Sequence, residues 1–363
     1  MDVQSIYPEE YQQLLETKVT TFKKNLADQT LDPLPEIDIF TSEHSHYRMR
    51  AEFKIWHEGD NSYYAMHNPK TKQVYTLNDF PVASKPINRL MPVLLEKINS
   101  TAQLRKRLFQ VEFLSTLSGE TVISLIYHRA LDSEWESIAR QLEQDLNIHI
   151  IGRSRKQKLV LSQDFVTETL TVNDTQYHYQ QIENSFTQPN AKVCEKMLTW
   201  AVNNCCAHND LLELYCGNGN FTIPLSSKFQ HVLATEISKP SVRSALHNLQ
   251  QNTIDNVEII RMSSEELVAA IEKQRPFRRL ANIDIDSYQF STVFVDPPRA
   301  GLDPATLSLI QHFDHIIYVS CNPETLCKNL NILNDKYSID HLAAFDQFPY
   351  THHLEVGVML SKK

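Results

Sequence analysis

From about residue 186 onward the chain alternates short β-rich runs with helical stretches, and this rhythm constrains the fold more than any other feature. DLLELYC, HVLATEI, VEII, STVFVD and HIIYVS are each followed by a helix-like segment. Such runs, joined by helical crossovers, predict an α/β fold with a doubly wound, Rossmann-like parallel sheet. Two last segments, around 337–345 and 354–361, have no helix between them and predict a C-terminal antiparallel hairpin. The first half reads differently. Residues 8–27 form an amphipathic pattern, followed by the link Asp32-Pro33-Leu34-Pro35. HYRMRAEFKIWHEGD (46–60) alternates, with Tyr47, Met49, Ala51 and Phe53 on one face, and Gly59-Asp60 reads as a turn. Helices are expected over 86–99 and 134–147, and a hairpin over 109–117 and 121–128 around Ser118-Gly119. The expected organisation is an α+β domain over 1–185 and an α/β domain over 186–363.

Composition narrows the function classes. The first twenty residues lack the basic start and apolar run of a signal peptide, and no stretch approaches a membrane span. Six cysteines all lie at or beyond Cys194 and include no CxxC pair, which disfavours a zinc ribbon or an iron–sulfur run. A reduced, cytoplasmic protein is expected. The net charge of −9 argues against a generally basic nucleic-acid coat. Local clusters at 105–107, 153–158 and 275–279 remain able to grip a few phosphates of a small folded RNA, although most such clusters are solvated faces.

Seven glycines serve the whole chain, and two of them fall in ELYCGNGNFT (213–222), between a predicted strand and a helix. Glycine there lets a ligand approach the backbone closely. Gly217-x-Gly219 fits a dinucleotide fingerprint, but the third glycine is replaced by Thr222 and no P-loop lysine follows. Glu236 ends the next strand, where an acid accepts hydrogen bonds from ribose hydroxyls. Together these favour S-adenosylmethionine over NAD. FVDPPRAGL (294–302) sets Asp296 at the carboxyl edge of the sheet in a loop stiffened by Pro297 and Pro298. A rigid turn with an Asp cap is the plainer reading. Amino-group methyltransferases carry a similar Asp-Pro-Pro followed by an aromatic. Arg299 stands in that place here and suits a phosphate or carbonyl contact.

YVSCNPETLCKNL (318–330) ends a further strand at Cys321. A free cysteine is commonly a small buried hydrophobe. Beside a methyl donor it has another use. Carbon 5 of a pyrimidine is a poor nucleophile until a thiolate adds to carbon 6, which divides one hard step into easier ones. The thiol pKa should then be lowered, and the helix start after Asn322 is the expected cause. Cys327 reads as packing. The carbon-5 proton must afterwards be removed, and FDQFPYTHHLEVGVML (345–360) offers Glu355 between apolar neighbours that should raise its pKa. His352, His353 and Glu355 as a metal cluster, or Glu355 as a salt-bridged strand residue, are the alternatives.

ENSFTQPNA, LELYCGNGNF, VDPPRAG, SCNPETLCKNL and FDQFPYTHHLE together resemble the RNA uracil-5-methyltransferases, and HYRMRAEF near the start resembles the bacterial tRNA-modifying branch. The resemblance spans about residue 46 to the end. It implies an S-adenosylmethionine-dependent methyltransferase domain preceded by an RNA-binding domain, with no metal or iron–sulfur cluster. Cys321 would be the nucleophile and Glu355 the base. Gln188, Tyr215, Gly217, Asn220, Glu236 and Asp296 would bind the cofactor or frame the site. Phe109 would stack in the RNA, or else belong to the core, and Arg299 would contact the target uridine. Arg48, Arg50, Arg153, Arg155 and Lys156 are the candidate phosphate contacts. The implied substrate is a flipped T-loop uridine in the T-arm of tRNA, with tRNA-like RNA such as tmRNA as a further substrate, and the implied state is a monomer. Ribosomal RNA as substrate, an amino-group methyltransferase and a non-catalytic RNA-binding protein are the competing readings.

Overall fold

The computed structural model describes residues 6–29, 34–68, 71–206 and 209–363; of the expected link, Asp32 and Pro33 lie outside the described residues. The chain forms two compact units that do not follow one cut near 185. Glu43–Thr169 and Gln181–Ala191 make up most of the first unit, while Glu9–Ser42, Leu170–Gln180 and Lys192–Lys363 form the second.

The first unit is α+β. Its seven-stranded sheet runs, in spatial order, Val74–Leu77, Asn61–His67, Arg50–Glu58, Leu108–Ser115, Thr121–Tyr127, His149–Ser154 and Gln157–Val160. Neighbours are antiparallel except Thr121–Tyr127 and His149–Ser154, which pair in parallel across the helix Ser133–Leu146. Asp132 starts that helix by accepting from the Trp135 N–H, and Asn147 ends it in a left-handed cap. The expected alternation holds, since Tyr47, Met49, Ala51 and Phe53 are all buried.

The second unit is the doubly wound sheet, and it has eight strands. Across it lie Ile37–Phe40, Tyr337–Phe345, Glu355–Lys362, His315–Ser320, Phe290–Val295, Asp210–Leu214, Val232–Thr235 and Val257–Ile260. Only Glu355–Lys362 runs against the others, pairing antiparallel with both neighbours. The edge strand Ile37–Phe40 was not foreseen, because four residues beside a proline-rich link give too short a pattern to assign. Strand order reverses between Asp210–Leu214 and Phe290–Val295, which is where open α/β sheets form their ligand crevice.

The last strand is pinned from above. A Cβ built on Gly357 would stand 2.5 Å from Trp200, a buried ring of the helix Ala191–Asn204 that also meets Phe345 edge-on at 5.7 Å. Gly357→Ala is therefore expected to destabilise the protein by about 1–3 kcal/mol through overpacking. Chemical denaturation checks this, and Trp200→Phe in the same background should recover part of the loss.

Candidate active site

Parallel strands bring their carboxyl ends to one edge of a sheet, and an antiparallel neighbour brings its amino end there. Asp296 follows Phe290–Val295, Cys321 follows His315–Ser320, and Glu355 opens the reversed strand. The register makes the last two neighbours. Ser320 pairs with Val356, so the next step along each strand sets Cys321 beside Glu355.

Their electrostatics follow from this crowding. Glu355 is 3% exposed; burial, with the charge of Asp296 adding to it, pushes its acid well above the usual range, and Arg299 opposes the shift. Loss of solvent pushes Asp296 up to about 7. Burial also raises the Cys321 thiol, with Glu355 and Asp296 contributing, while the charge and hydrogen bonding of Arg299 pull it back. This corrects the expectation of a lowered thiol. Asn322 does cap the helix Pro323–Leu333, accepting from the Glu324 N–H, but the helix start is outweighed by burial and two carboxyl groups.

Arg299 is exposed and held at its backbone, where its carbonyl accepts from Asn322 Nδ2 at 2.9 Å. Its guanidinium lies 3.0 Å from His353, which burial, His352 and Arg299 push down to about 4. The rings of His352 and His353 lie 4.0 Å apart, and no group of three metal-ligating side chains forms among the described residues.

The glycine loop lies at the same edge, after Asp210–Leu214. Tyr215 adopts φ +63°, and its hydroxyl meets Ser264 Oγ at 2.8 Å. Gly217 has φ +58° with open space where a side chain would project, and Gly219 has φ +85°. Glu236 accepts from the Gly217 N–H at 3.0 Å and the Ser238 N–H at 2.7 Å, which ties the carboxylate to the loop. Asn248 braces the loop by donating to the Asn218 carbonyl at 2.9 Å, and the Tyr179 hydroxyl donates to the Asn220 carbonyl at 3.1 Å.

Two neighbours of this loop were missed from the sequence. Glu213 is 1% exposed, and its Oε2 has no hydrogen-bond partner among the described residues. Burial pushes its acid up to about 8, with the Thr222 hydroxyl opposing and Asp296 adding to the shift. An acid inside the apolar run DLLEL was the available signal. Ile237, beside Glu236, is 64% exposed, an apolar surface next to a ribose-binding type of acid. An open glycine turn, a carboxylate beside it, an exposed aliphatic and a buried acid with one unengaged oxygen fit a nucleoside that also carries a cationic amino group.

In the first unit, Gln188 is half-buried within the segment 181–191. The expected phosphate contacts divide into two kinds. Arg153 grips the buried Glu183 in a two-point ion pair at 2.5 and 2.8 Å. Arg50 donates to the carbonyls of Glu183 and Ser185, and Arg48 to the carbonyl of Arg50. These three are committed inside the fold. Arg155 and Lys156 stand exposed in the turn between His149–Ser154 and Gln157–Val160, and no ion pair among the described residues engages them. Phe109 is half-buried and stacks on the exposed His128 at 4.1 Å, with the Lys54 ammonium 4.0 Å from its ring centre. His128 was also missed, because the hairpin register slips at a bulge: Leu108 pairs with Tyr127 and Gln110 with Ile126, and simple alternation would have set Tyr127 rather than His128 against Phe109. No helix among the described residues is long and apolar enough to cross a membrane.

Comparison with known proteins agrees with this geometry. Residues 10–363 match the family model described as tRNA (Uracil-5-)-methyltransferase. A tRNA/tmRNA (uracil-C(5))-methyltransferase of Vibrio parahaemolyticus is 52% identical over 367 residues, covering 99% of this chain and 98% of its own. The protein of the same description from Cellvibrio japonicus is 53% identical, covering 97% and 96%. The crystal structure of Pyrococcus abyssi tRNA (uracil-54, C5)-methyltransferase with S-adenosyl-L-homocysteine shares the fold, with a TM-score of 0.71 at 20% identity over 96% of this chain and 83% of that one. Such coverage by the family model and by relatives above half identity leaves one conclusion: this chain is an enzyme of the tRNA (uracil-5-)-methyltransferase family.

Proposed function

We propose that the chain transfers a methyl group from S-adenosylmethionine to carbon 5 of a T-loop uridine in tRNA, giving 5-methyluridine, and that it also accepts the tRNA-like arm of tmRNA. The observation that carries this reading is that Cys321 and Glu355 adjoin the last strand pair, Ser320 with Val356, and that the Glu355 charge reaches the thiol, because a thiol near a buried carboxyl suits addition followed by elimination. Gly217, Glu236, Tyr215, Asn220, Gln188 and Asp296 are assigned to the cofactor, with Glu213 toward its amino group and Ile237 under its base. When bound, S-adenosylmethionine supplies the methyl group.

Cys321 adds through Sγ to carbon 6 of the uracil, which makes carbon 5 nucleophilic. After methylation Glu355 takes the carbon-5 proton, the C5–H pair forms the C5=C6 double bond, and the C6–S pair returns to sulfur. Arg299 stands beside the thiol and stabilises it as thiolate. A loop uridine still stacks and pairs, so it must be extruded into the pocket. The stack of half-buried Phe109 on exposed His128 is a platform for an unstacked base of that loop.

The test is methyl transfer to a tRNA transcript, read as 5-methyluridine in its nucleoside digest. A transcript whose T-loop uridine is replaced by cytidine should receive none, and methylation at another base would overturn the reading. Among the cations, Arg155→Gln and Lys156→Gln should each reduce the salt slope of tRNA binding by about one. Arg153→Gln should instead lower thermal stability, since the buried Glu183 loses its two-point partner and keeps Lys158, at 3.5 Å, and the Ser124 hydroxyl. Filter binding across a salt series and a melting curve separate the two effects.

A further inference from the structure

The helix Tyr11–Ala27 carries a lysine on its buried face. Tyr11, Leu15, Val19, Phe22 and Leu26 are buried there, and Lys18 is buried with them. Its ammonium donates to Asp346 Oδ1 at 2.7 Å and to the Phe348 carbonyl at 2.8 Å. The two side chains of the pair are only 5% and 1% exposed. Taking two charges out of water is expensive, and a well-packed apolar pair is commonly as stable or more so. Stability alone does not account for this pair. Location offers a better account.

Asp346 begins the connection 346–354, which leads from the strand Tyr337–Phe345 to Glu355. Its N–H donates to the Phe40 carbonyl at 3.0 Å, and the Phe40 ring stacks on Phe345 at 4.8 Å. Tyr11 accepts from the Ser42 N–H at 2.8 Å and meets Tyr350 edge-on at 5.9 Å. The Phe348 carbonyl that holds Lys18 also accepts from Thr351 Oγ1 at 2.8 Å, and Thr351 Oγ1 accepts from the His353 N–H at 3.2 Å. A continuous run of polar contacts thus leads from Lys18 through Phe348 and Thr351 to His353, near Glu355 and against Arg299.

We propose that Lys18 is a positioning residue for Glu355: by holding Asp346 and Phe348 it sets the path of 346–354, and with it the stance of the carboxylate toward the carbon-5 proton. This rests on the reading of Glu355 as the base. Displacing a reacting group by even 1 Å slows a step substantially.

Covalent capture of the RNA and methyl transfer do not need the base, whereas release of the product does. Lys18→Met, Lys18→Met/Asp346→Asn and Glu355→Gln are compared in single turnover, on ordinary tRNA and on tRNA carrying 5-fluorouridine. Fluorine at carbon 5 blocks release, so the second substrate reports capture alone. For both Lys18 variants, capture should match the parent while release from ordinary tRNA slows about tenfold, leaving an adduct on a denaturing gel. The double variant leaves no unpaired buried charge, and it carries the test if the single one does not fold. Capture and release falling by one common factor, or neither falling, would overturn the proposal. Normal release by Glu355→Gln would overturn the base assignment and the clamp together. An adduct with Glu355→Gln but not with the Lys18 variants would remove the clamp alone.

Discussion

Replacing Cys321 by alanine is expected to abolish turnover and every covalent complex with RNA, while cofactor and tRNA binding persist. Removing the nucleophile of a covalent mechanism costs on the order of 10⁴–10⁶ in rate. A denaturing gel with 5-fluorouridine tRNA and S-adenosylmethionine shows this directly, with a retarded band for the parent and none for Cys321→Ala. A variant that still formed 5-methyluridine would return Cys321 to a packing role. The raised thiol adds a pH signature. Because Cys321 titrates above its ordinary value, the rate of capture should climb as pH rises above 7, following the thiolate. Arg299 pulls the thiol down, so Arg299→Gln should move that profile to higher pH. A profile that stayed in place would show that the guanidinium acts on the RNA rather than on the sulfur.

Glu355→Gln is expected to slow turnover by roughly 10²–10⁴, the range that a positioned base supplies. The effect is asymmetric between steps. Addition and methyl transfer proceed, the carbon-5 proton stays, and the protein–RNA adduct accumulates on ordinary tRNA. Tritium release from a uridine labelled at carbon 5 should fall with turnover, since that proton is the one the carboxylate takes. Burial holds the acid of Glu355 well above its usual range, so an amide of the same shape should fit without a large loss of stability. Full tritium release by the glutamine variant would send the search for the base elsewhere, with Asp296 the next carboxylate at this edge.

Much of this arrangement was legible because strand–helix alternation fixes which residues reach the carboxyl edge. Cys321, Asp296 and the Gly217–Gly219 loop each end a β-rich run, so the sheet had to bring them to one side. Glu355 was legible through apolar flanks and the hairpin pattern that reverses its strand. What the sequence hides is pairing between distant polar groups. Nothing local marks Arg153 and Arg50 as partners of the Glu183 region rather than of a phosphate, because a cation beside a turn looks the same in both roles. The thiol was misjudged for a related reason. A helix start is visible in Asn322-Pro323, but the carboxylates of Glu355 and Asp296 reach Cys321 only through the fold. Glu213 was overlooked although an acid inside an apolar strand gave a signal, whereas His128 was hidden by a bulge that breaks the hairpin register at Phe109.

The interleaving of the two units has a consequence at the ribosome. Lys18 and Asp346 are separated by 328 positions, and Ile37–Phe40 completes its sheet against Tyr337–Phe345. At about 5–20 residues per second, tens of seconds pass between synthesis of the first helix and synthesis of its docking surface. Once Ala191 has been made the whole first unit has been synthesised, while Tyr11, Leu15, Val19 and Phe22 remain without their native cover. The earliest element made is thus among the last to be seated, and an amphipathic segment waiting that long is a natural client for a nascent-chain chaperone.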